Sequence, residues 1–311
     1  MNGRNLQYQY KNFLSDFKDW DQKPHACDWL LFSENMGEHL SIDETSLSHG
    51  ELYTILTNKK AKGKKGSIVA VVQGTKADNI IDILNRIPLK QRNKVKEITL
   101  DMAANMQLIA KRSFPNATLV TDRFHVQKLA TEALQEIRIK HRWEAIDQEN
   151  EAIEEAKSQK KRYEPVMLSN GDTVKQLLAR SRYSLYKRKE KWTLTQKERA
   201  ELVFGLYPDI EKAYKLSQKL TGIFNQTKDK IIAFTKLAKW HEEVRVAGFK
   251  SFNTISKTIE THYQNILNYF DNRSTNASAE SFNAKIKSFR SKFRGVRCVE
   301  FFLFRLTNLY A

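Results

Sequence analysis

The sequence predicts an α/β fold, a mixed five-stranded sheet with flanking helices interrupted by a large all-α insertion. Three observations carry that prediction. Five short β-favouring runs lie between residues 38 and 121, first separated by turns and then by helices. No convincing strand follows from Phe124 to about Phe270. A helix-forming segment, Ala277–Arg290, then returns with apolar residues Phe282, Ile286 and Phe289, continued by Phe293, at the spacing of one helix face.

The elements follow in order. Residues 1–37 place Tyr8, Phe13, Phe17 and Trp20 at roughly helical spacing, which suggests an N-terminal helical arm. Glu38–Ser46 reads as a strand, Ser48-His49-Gly50 as a turn and Leu52–Thr57 as a second strand. A loop with Lys59, Lys60, Lys62, Lys64 and Lys65 follows, then the valine-rich strand Ser67–Gln73. These three strands suit an antiparallel meander. Ala77–Ile87 carries Ile80, Ile81, Leu84 and Ile87 as an amphipathic helix that Pro88 ends. Val95–Leu100 is a strand ending at Asp101, Ala103–Phe114 a helix closed by Pro115, and Ala117–Thr121 a strand ending at Asp122. Three antiparallel strands followed by helix-separated parallel ones is the ribonuclease H-like order. The expected organisation is the arm at 1–37, the first part of the core at 38–125, the α-helical insertion at 126–271, and a helix and tail completing the core at 272–311.

Composition narrows the partner. The 311 residues include 53 Lys plus Arg against 36 Asp plus Glu, a net charge of +17, and 41% are hydrophobic, enough for a sizeable core. Such a balance points to a polyanion, most simply a nucleic acid. Two distant cysteines, Cys27 and Cys298, exclude a disulfide framework and a cysteine-based zinc site within the chain. The start of the sequence has no apolar signal region, and no stretch is apolar enough to span a bilayer, so a cytoplasmic protein without membrane contact is expected.

Three acids stand out. Asp43 and Asp101 each sit at the end of an apolar, strand-like run, and Glu280 lies on the returning helix among Asn276, Asn283 and Lys287. Phosphodiester chemistry is served by two Mg²⁺ ions about 3.5–4 Å apart that clamp the attacking and leaving oxygens, and Mg²⁺ takes hard oxygen ligands. Strand alternation sends Asp43 and Glu44 to opposite faces, so only one joins a site; Asp43 is preferred and Glu44 is the alternative. For Asp101 the competing reading is a cap for the helix that follows. Asp122 and His125 lie one helical turn apart and suit a mutual or phosphate contact, or equally a helix cap and a buried histidine.

Basic residues cluster in two further places. Lys285, Lys287, Arg290, Lys292, Arg294 and Arg297 follow Glu280, a density suited to phosphates beside the acids. In the helical block, Arg182, Lys187 and Arg188 interleave with Tyr183, Tyr186 and Trp192, a mix suited to backbone tracking and base stacking. The lysine loop 59–65 reads equally as a solubilising hairpin tip.

Taken together, IDET at Ile42–Thr45, TLDM at Thr99–Met102, VTDRFHV at Val120–Val126 and NASAESFNAKIKSFRSKFRG from Asn276 resemble the Asp–Asp–Glu transposases of bacterial insertion sequences, in the group conventionally called ISL-three. Four motifs fall in the right order over 38–125 and 272–297. The resemblance implies a triad of Asp43, Asp101 and Glu280 binding two Mg²⁺ ions, with Mn²⁺ as a substitute, and a structural or substrate-positioning role for Asp122 and His125. It implies cleavage at terminal inverted repeats of double-stranded DNA, strand transfer into target DNA, a homodimer, and work at the bacterial nucleoid. Members of the group commonly begin with a zinc-binding segment and a helix-turn-helix. Here no Cys/His cluster precedes the first catalytic strand, so end recognition is expected to fall to a separate polypeptide or a missing segment. The alternatives are a structure-selective Mg²⁺-dependent nuclease and a non-catalytic DNA-binding remnant.

Overall fold

The computed structural model describes residues 3–48, 50–292 and 296–311. The turn residue His49, the stripe residue Phe293 and the basic residue Arg294 lie outside the described residues. The chain divides into two compact units, 1–122 with 264–311, and 123–263.

The first unit is built on a six-stranded mixed sheet. Its strands are β1 (Trp29–Leu31), β2 (His39–Ser48), β3 (Glu51–Asn58), β4 (Ile68–Gln73), β5 (Glu97–Leu100) and β6 (Thr118–Thr121), in the spatial order β1-β4-β3-β2-β5-β6. β1 to β4 pair antiparallel, whereas β5 runs parallel to β2 and β6 parallel to β5. This is the ribonuclease H-like arrangement, with one strand beyond the expected five. The extra strand lies in the segment read as a helical arm. Three residues are too few to show a period in sequence, and what fixes them is tertiary: Leu30 is fully buried and the strand hydrogen-bonds along β4. Among the described residues of that segment, helical structure is confined to α1 (Gly3–Gln9), a π-helical turn at Tyr10–Leu14 and short 3₁₀ turns.

The helices of this unit cover both faces of the sheet. α2 (Ala77–Leu84), α3 (Leu89–Arg92) and α4 (Ala104–Ser113) form one side, where Ile80, Leu84, Met106, Ile109 and Phe114 pack on Leu40, Ile42, Ile98 and Leu100. The other side carries α13 (Ala277–Lys292) and α14 (Val299–Tyr310), where Phe282, Ile286, Phe302, Leu303 and Leu306 pack on Leu30, Leu47, Tyr53 and Ile55. Full burial of a large apolar side chain contributes about 1.5–3 kcal/mol, so Phe282 and Ile286 together give α13 roughly 3–6 kcal/mol of docking energy. Short helices α11 (Tyr263–Leu267) and α12 (Tyr269–Asn272) lead into α13.

The second unit is all helical: α5 (Arg123–Ser158), α6 (Val174–Arg180), α7 (Leu194–Leu206), α8 (Pro208–Gln226), α9 (Lys230–Ala247) and α10 (Lys250–Thr261). Trp240, Tyr214, Phe224 and Phe252 are fully buried in it, and the Trp240 indole donates to the Leu216 carbonyl at 2.9 Å. Thr173 with Gln176 and Thr193 with Gln196 close reciprocal caps at the starts of α6 and α7. Asp172, 1% exposed, accepts from Arg199 at 2.9 Å and also from Arg180, fixing the loop before α6.

Candidate active site

Strand register brings the aspartates into a row. Ser41 pairs with Thr99 in the parallel β2–β5 ladder, and Leu100 pairs with Thr121 in β5–β6. Continuing each ladder sets Asp43 beside Asp101, and Asp101 beside Asp122, whose N–H donates to the Leu100 carbonyl at 2.9 Å. Neighbouring strands lie about 4.8 Å apart, and alternation turns all three side chains to one face. On that face Asn272 Nδ2 reaches Glu97 Oε2 at 3.3 Å, so it is the side that carries α12 and α13.

Asp43 and Asp101 are held in different ways. Asp43 Oδ1 accepts from the Glu44 N–H at 2.9 Å, and Oδ2 accepts from Asn283 Nδ2 of α13 at 2.7 Å. These two bonds orient the Asp43 carboxylate. Asp101 Oδ1 accepts from the Ala103 N–H at 2.8 Å, a turn contact that shapes the approach to α4. Glu44 points the other way, to Asn105 on α4; burial first, and the nearby Asp101 charge second, raise its carboxyl above the ordinary range.

The polar stripe of α13 faces the sheet. Asn276, 1% exposed, donates to the Ile42 carbonyl at 3.4 Å, and Asn283 also reaches the Glu44 carbonyl at 3.4 Å. Glu280, between them and not buried, brings a carboxylate oxygen within 4.8 Å of one on buried Asp122. His125 stands three residues beyond Asp122, on the first turn of α5.

Sequence reasoning missed Lys59 and Glu97. Lys59 leaves the loop and folds onto the same sheet face, donating to Thr99 Oγ1 at 2.8 Å and to Glu97 Oε1 at 3.4 Å. Burial lowers its ammonium below the ordinary lysine value, against the opposing pull of Glu97 and Asp122. Burial alone would raise Glu97, yet hydrogen bonds from Ser274 and Asn272, with the charges of Lys59 and His39, more than offset it and hold the carboxyl low. The sequence signal was present as a glutamate opening an otherwise apolar strand.

The basic residues fall in two places. On α13, Lys287 and Lys292 are exposed and Arg290 half-buried, whereas the Lys285 ammonium donates to the Gly63 carbonyl at 2.7 Å. In the helical unit, Arg182 and Lys187 are exposed and Arg188 is half-buried. Trp192 there is a scaffold side chain: its indole donates to the Ser184 carbonyl at 2.7 Å and packs on Tyr214 and Phe204. The Tyr214 hydroxyl donates to the Lys187 carbonyl at 2.8 Å, so both aromatics pin the backbone of the basic segment.

Donor chemistry suits a hard divalent cation where Asp122 and Glu280 bring carboxylate oxygens within 4.8 Å, since close carboxylates repel without a cation between them; among the described residues no group of three such ligand atoms includes Asp43 or Asp101. Among the described residues no helix is long and apolar enough to cross a membrane.

No curated protein matches the chain. Among solved structures, the Drosophila P element transposase strand transfer complex is similar at 14% identity and a TM-score of 0.39, over 99% of this chain and 84% of that one. The model of the transposase family DDE_Tnp_ISL3 matches residues 40–306, nearly the whole span from β2 to α14. Transposases are enzymes that cut and transfer DNA, and the matched span covers every acid in the row and the glutamate of α13. The chain therefore belongs to the ISL-three family of insertion-sequence transposases.

Proposed function

We propose that the protein hydrolyses a phosphodiester at each transposon end and joins the freed 3′-OH to target DNA, with Asp43, Asp101 and Glu280 as the metal-holding triad. The observation that carries this reading is the shared face: three aspartates side by side on adjoining parallel strands, with the α13 glutamate within reach of Asp122 and Asn283 bonded to Asp43. Asp43, Asp101 and Glu280 would hold two Mg²⁺ ions, for which Mn²⁺ is a chemically reasonable substitute. When bound, such a pair supplies the charge that activates the attacking oxygen and stabilises the leaving one.

The chain's own groups orient and balance the site. Asn283 fixes the rotamer of Asp43, and the Ala103 N–H does the same for Asp101. Asp122 takes a positioning role toward phosphate and Glu280, and His125 a positioning role toward phosphate. Water first attacks the phosphorus at the transposon end and the 3′ oxygen leaves; that 3′-OH then attacks a target phosphodiester, displacing another oxygen. Both steps are in-line displacements at phosphorus, so one constellation serves both.

Phosphate contacts along the DNA fall to Lys287, Arg290 and Lys292 of α13 and to Arg182, Lys187 and Arg188, with Trp192 securing the latter group from behind. Residues 126–271 then act as a DNA-tracking insertion, and two copies of the chain bring two inverted repeats together. Sequence-specific end recognition is assigned to a separate polypeptide or segment.

The test is strand transfer with pre-cleaved ends in Mg²⁺. The wild type should join them to target, and Asp101→Asn and Glu280→Gln should each abolish joining. Full activity in either variant refutes the triad. A wild-type product limited to cut DNA would mark a nuclease.

A further inference from the structure

The lysine-rich connection between β3 and β4, residues 59–66, is not a loose hairpin tip. It is bound on three sides. Asn58 caps its first turn by accepting from the Lys60 N–H at 3.0 Å. The Ser67 N–H donates to the Tyr310 carbonyl at the end of α14 at 2.7 Å. Lys285 of α13 donates to the Gly63 carbonyl at 2.7 Å, and the φ of +71° at Gly63 lies in the left-handed region that favours glycine. Lys59, anchored on Thr99 and Glu97, ties the same turn to the sheet.

The remaining lysines are presented outward. Lys60, Lys62, Lys64 and Lys65 are all exposed. Among the described residues, Lys62, Lys64 and Lys65 have no carboxylate within ion-pairing distance. Four like charges are thus held together on a rigid turn, at a cost that a polyanion would relieve. Lys285 follows Glu280 by five residues, about 7.5 Å along the helix axis, so the turn is braced to the catalytic helix one step from its glutamate.

We propose that this turn is a docking surface for a nucleic-acid sugar-phosphate backbone, gripping the stretch of strand that runs on from the acids along α13. The proposal rests on the transposase reading for the identity of the polyanion, and adds to it a contact outside the basic segments of α13 and the helical insertion. Because the turn is held before binding, little ordering entropy opposes the contact. The contact is to phosphate alone, so it lends affinity without sequence preference.

The experiment compares the full chain with a triple variant, Lys62→Asn, Lys64→Gln and Lys65→Gln. Asn is chosen at 62 because that residue has φ +52° and Asn tolerates the left-handed region. A fluorescein-labelled duplex of arbitrary sequence is titrated by anisotropy across a salt series with Ca²⁺ in place of Mg²⁺, and thermal melting confirms that the variant folds. Each lost phosphate contact lowers the slope of log affinity against log salt by about 0.9, so the triple variant should lose roughly 2–3 from the slope. Its joining of pre-cleaved ends to target DNA in Mg²⁺ should persist at saturating protein. An unchanged slope in the variant, with a salt-dependent wild type that still joins pre-cleaved ends, overturns the docking surface and leaves the transposase reading intact. A wild type that binds no DNA overturns both.

Discussion

Replacing Asn283 by Ala tests whether α13 tunes the acids or merely covers them. The Asn283 amide donates to Asp43 Oδ2 at 2.7 Å, a bond to a charged acceptor. Such bonds contribute about 1.5–3 kcal/mol. Groups that orient a metal ligand from outside typically change metal affinity 10- to 100-fold, which is about 1.4–2.7 kcal/mol on the same scale. Two features of this site favour the lower end. Asn283 is half-buried, so water replaces part of the lost bond, and Asp43 Oδ1 keeps its bond to the Glu44 N–H. The expected result is a roughly tenfold weaker Mg²⁺ affinity in calorimetric titration of the DNA-free protein. The melting temperature should move little, since Phe282 and Ile286 still dock the helix. A Mg²⁺ isotherm identical to wild type would refute the reasoning, because Asn283 would then be holding α13 rather than Asp43. An Asn283→Asp variant sharpens the test: a second carboxylate beside Asp43 should make Mg²⁺ binding strongly pH-dependent, which a purely structural residue would not do.

Two further outcomes are expected. Glu97 has a folded-state carboxyl below its ordinary value near 4.5, so its contribution to stability is complete above that value and is lost as pH falls through the lower folded one; thermal melts from neutral into acid should steepen there for wild type and flatten in Glu97→Gln. Asp172→Asn removes the charge on which Arg180 and Arg199 converge, and with both arginines partly in water the cost should be about 2–3 kcal/mol; amide exchange at the ends of α6 and α7 should quicken while that of β2 and β5 stays unchanged.

The sheet was legible where its residues carry a local signal. Runs such as SIVAVVQ and LYTILT are β-branched and bounded by turn residues, and their order alone yields the ribonuclease H-like connectivity. β1 was not legible, because three residues cannot show alternation and only the β4 edge makes them a strand. α14 read as a tail because its apolar residues run on almost without break: Phe302, Leu303 and Leu306 enter the main cluster while Phe301 and Phe304 meet Phe17, so both sides are covered and no amphipathic period survives. For the candidate site, Asp43 and Asp101 follow from topology once β2 and β5 are neighbours. The Asn283–Asp43 bond joins residues 240 apart, and no spacing rule reaches that far. Lys59 was hidden by its company, one lysine among five in a row that reads as solvated, with only its position next to the strand end to mark it.

The placement of α14 has a bearing on when the protein becomes competent. Phe282 and Ile286 insert into a cluster that Phe302, Leu303 and Leu306 complete. A chain still leaving the ribosome therefore has β2, β5 and β6 available early, but no finished seat for the helix that must lie across them. A stop codon just ahead of residue 299 should yield a polypeptide with every acid present but no finished seat for the helix that carries Glu280, a built-in delay between translation and a complete site.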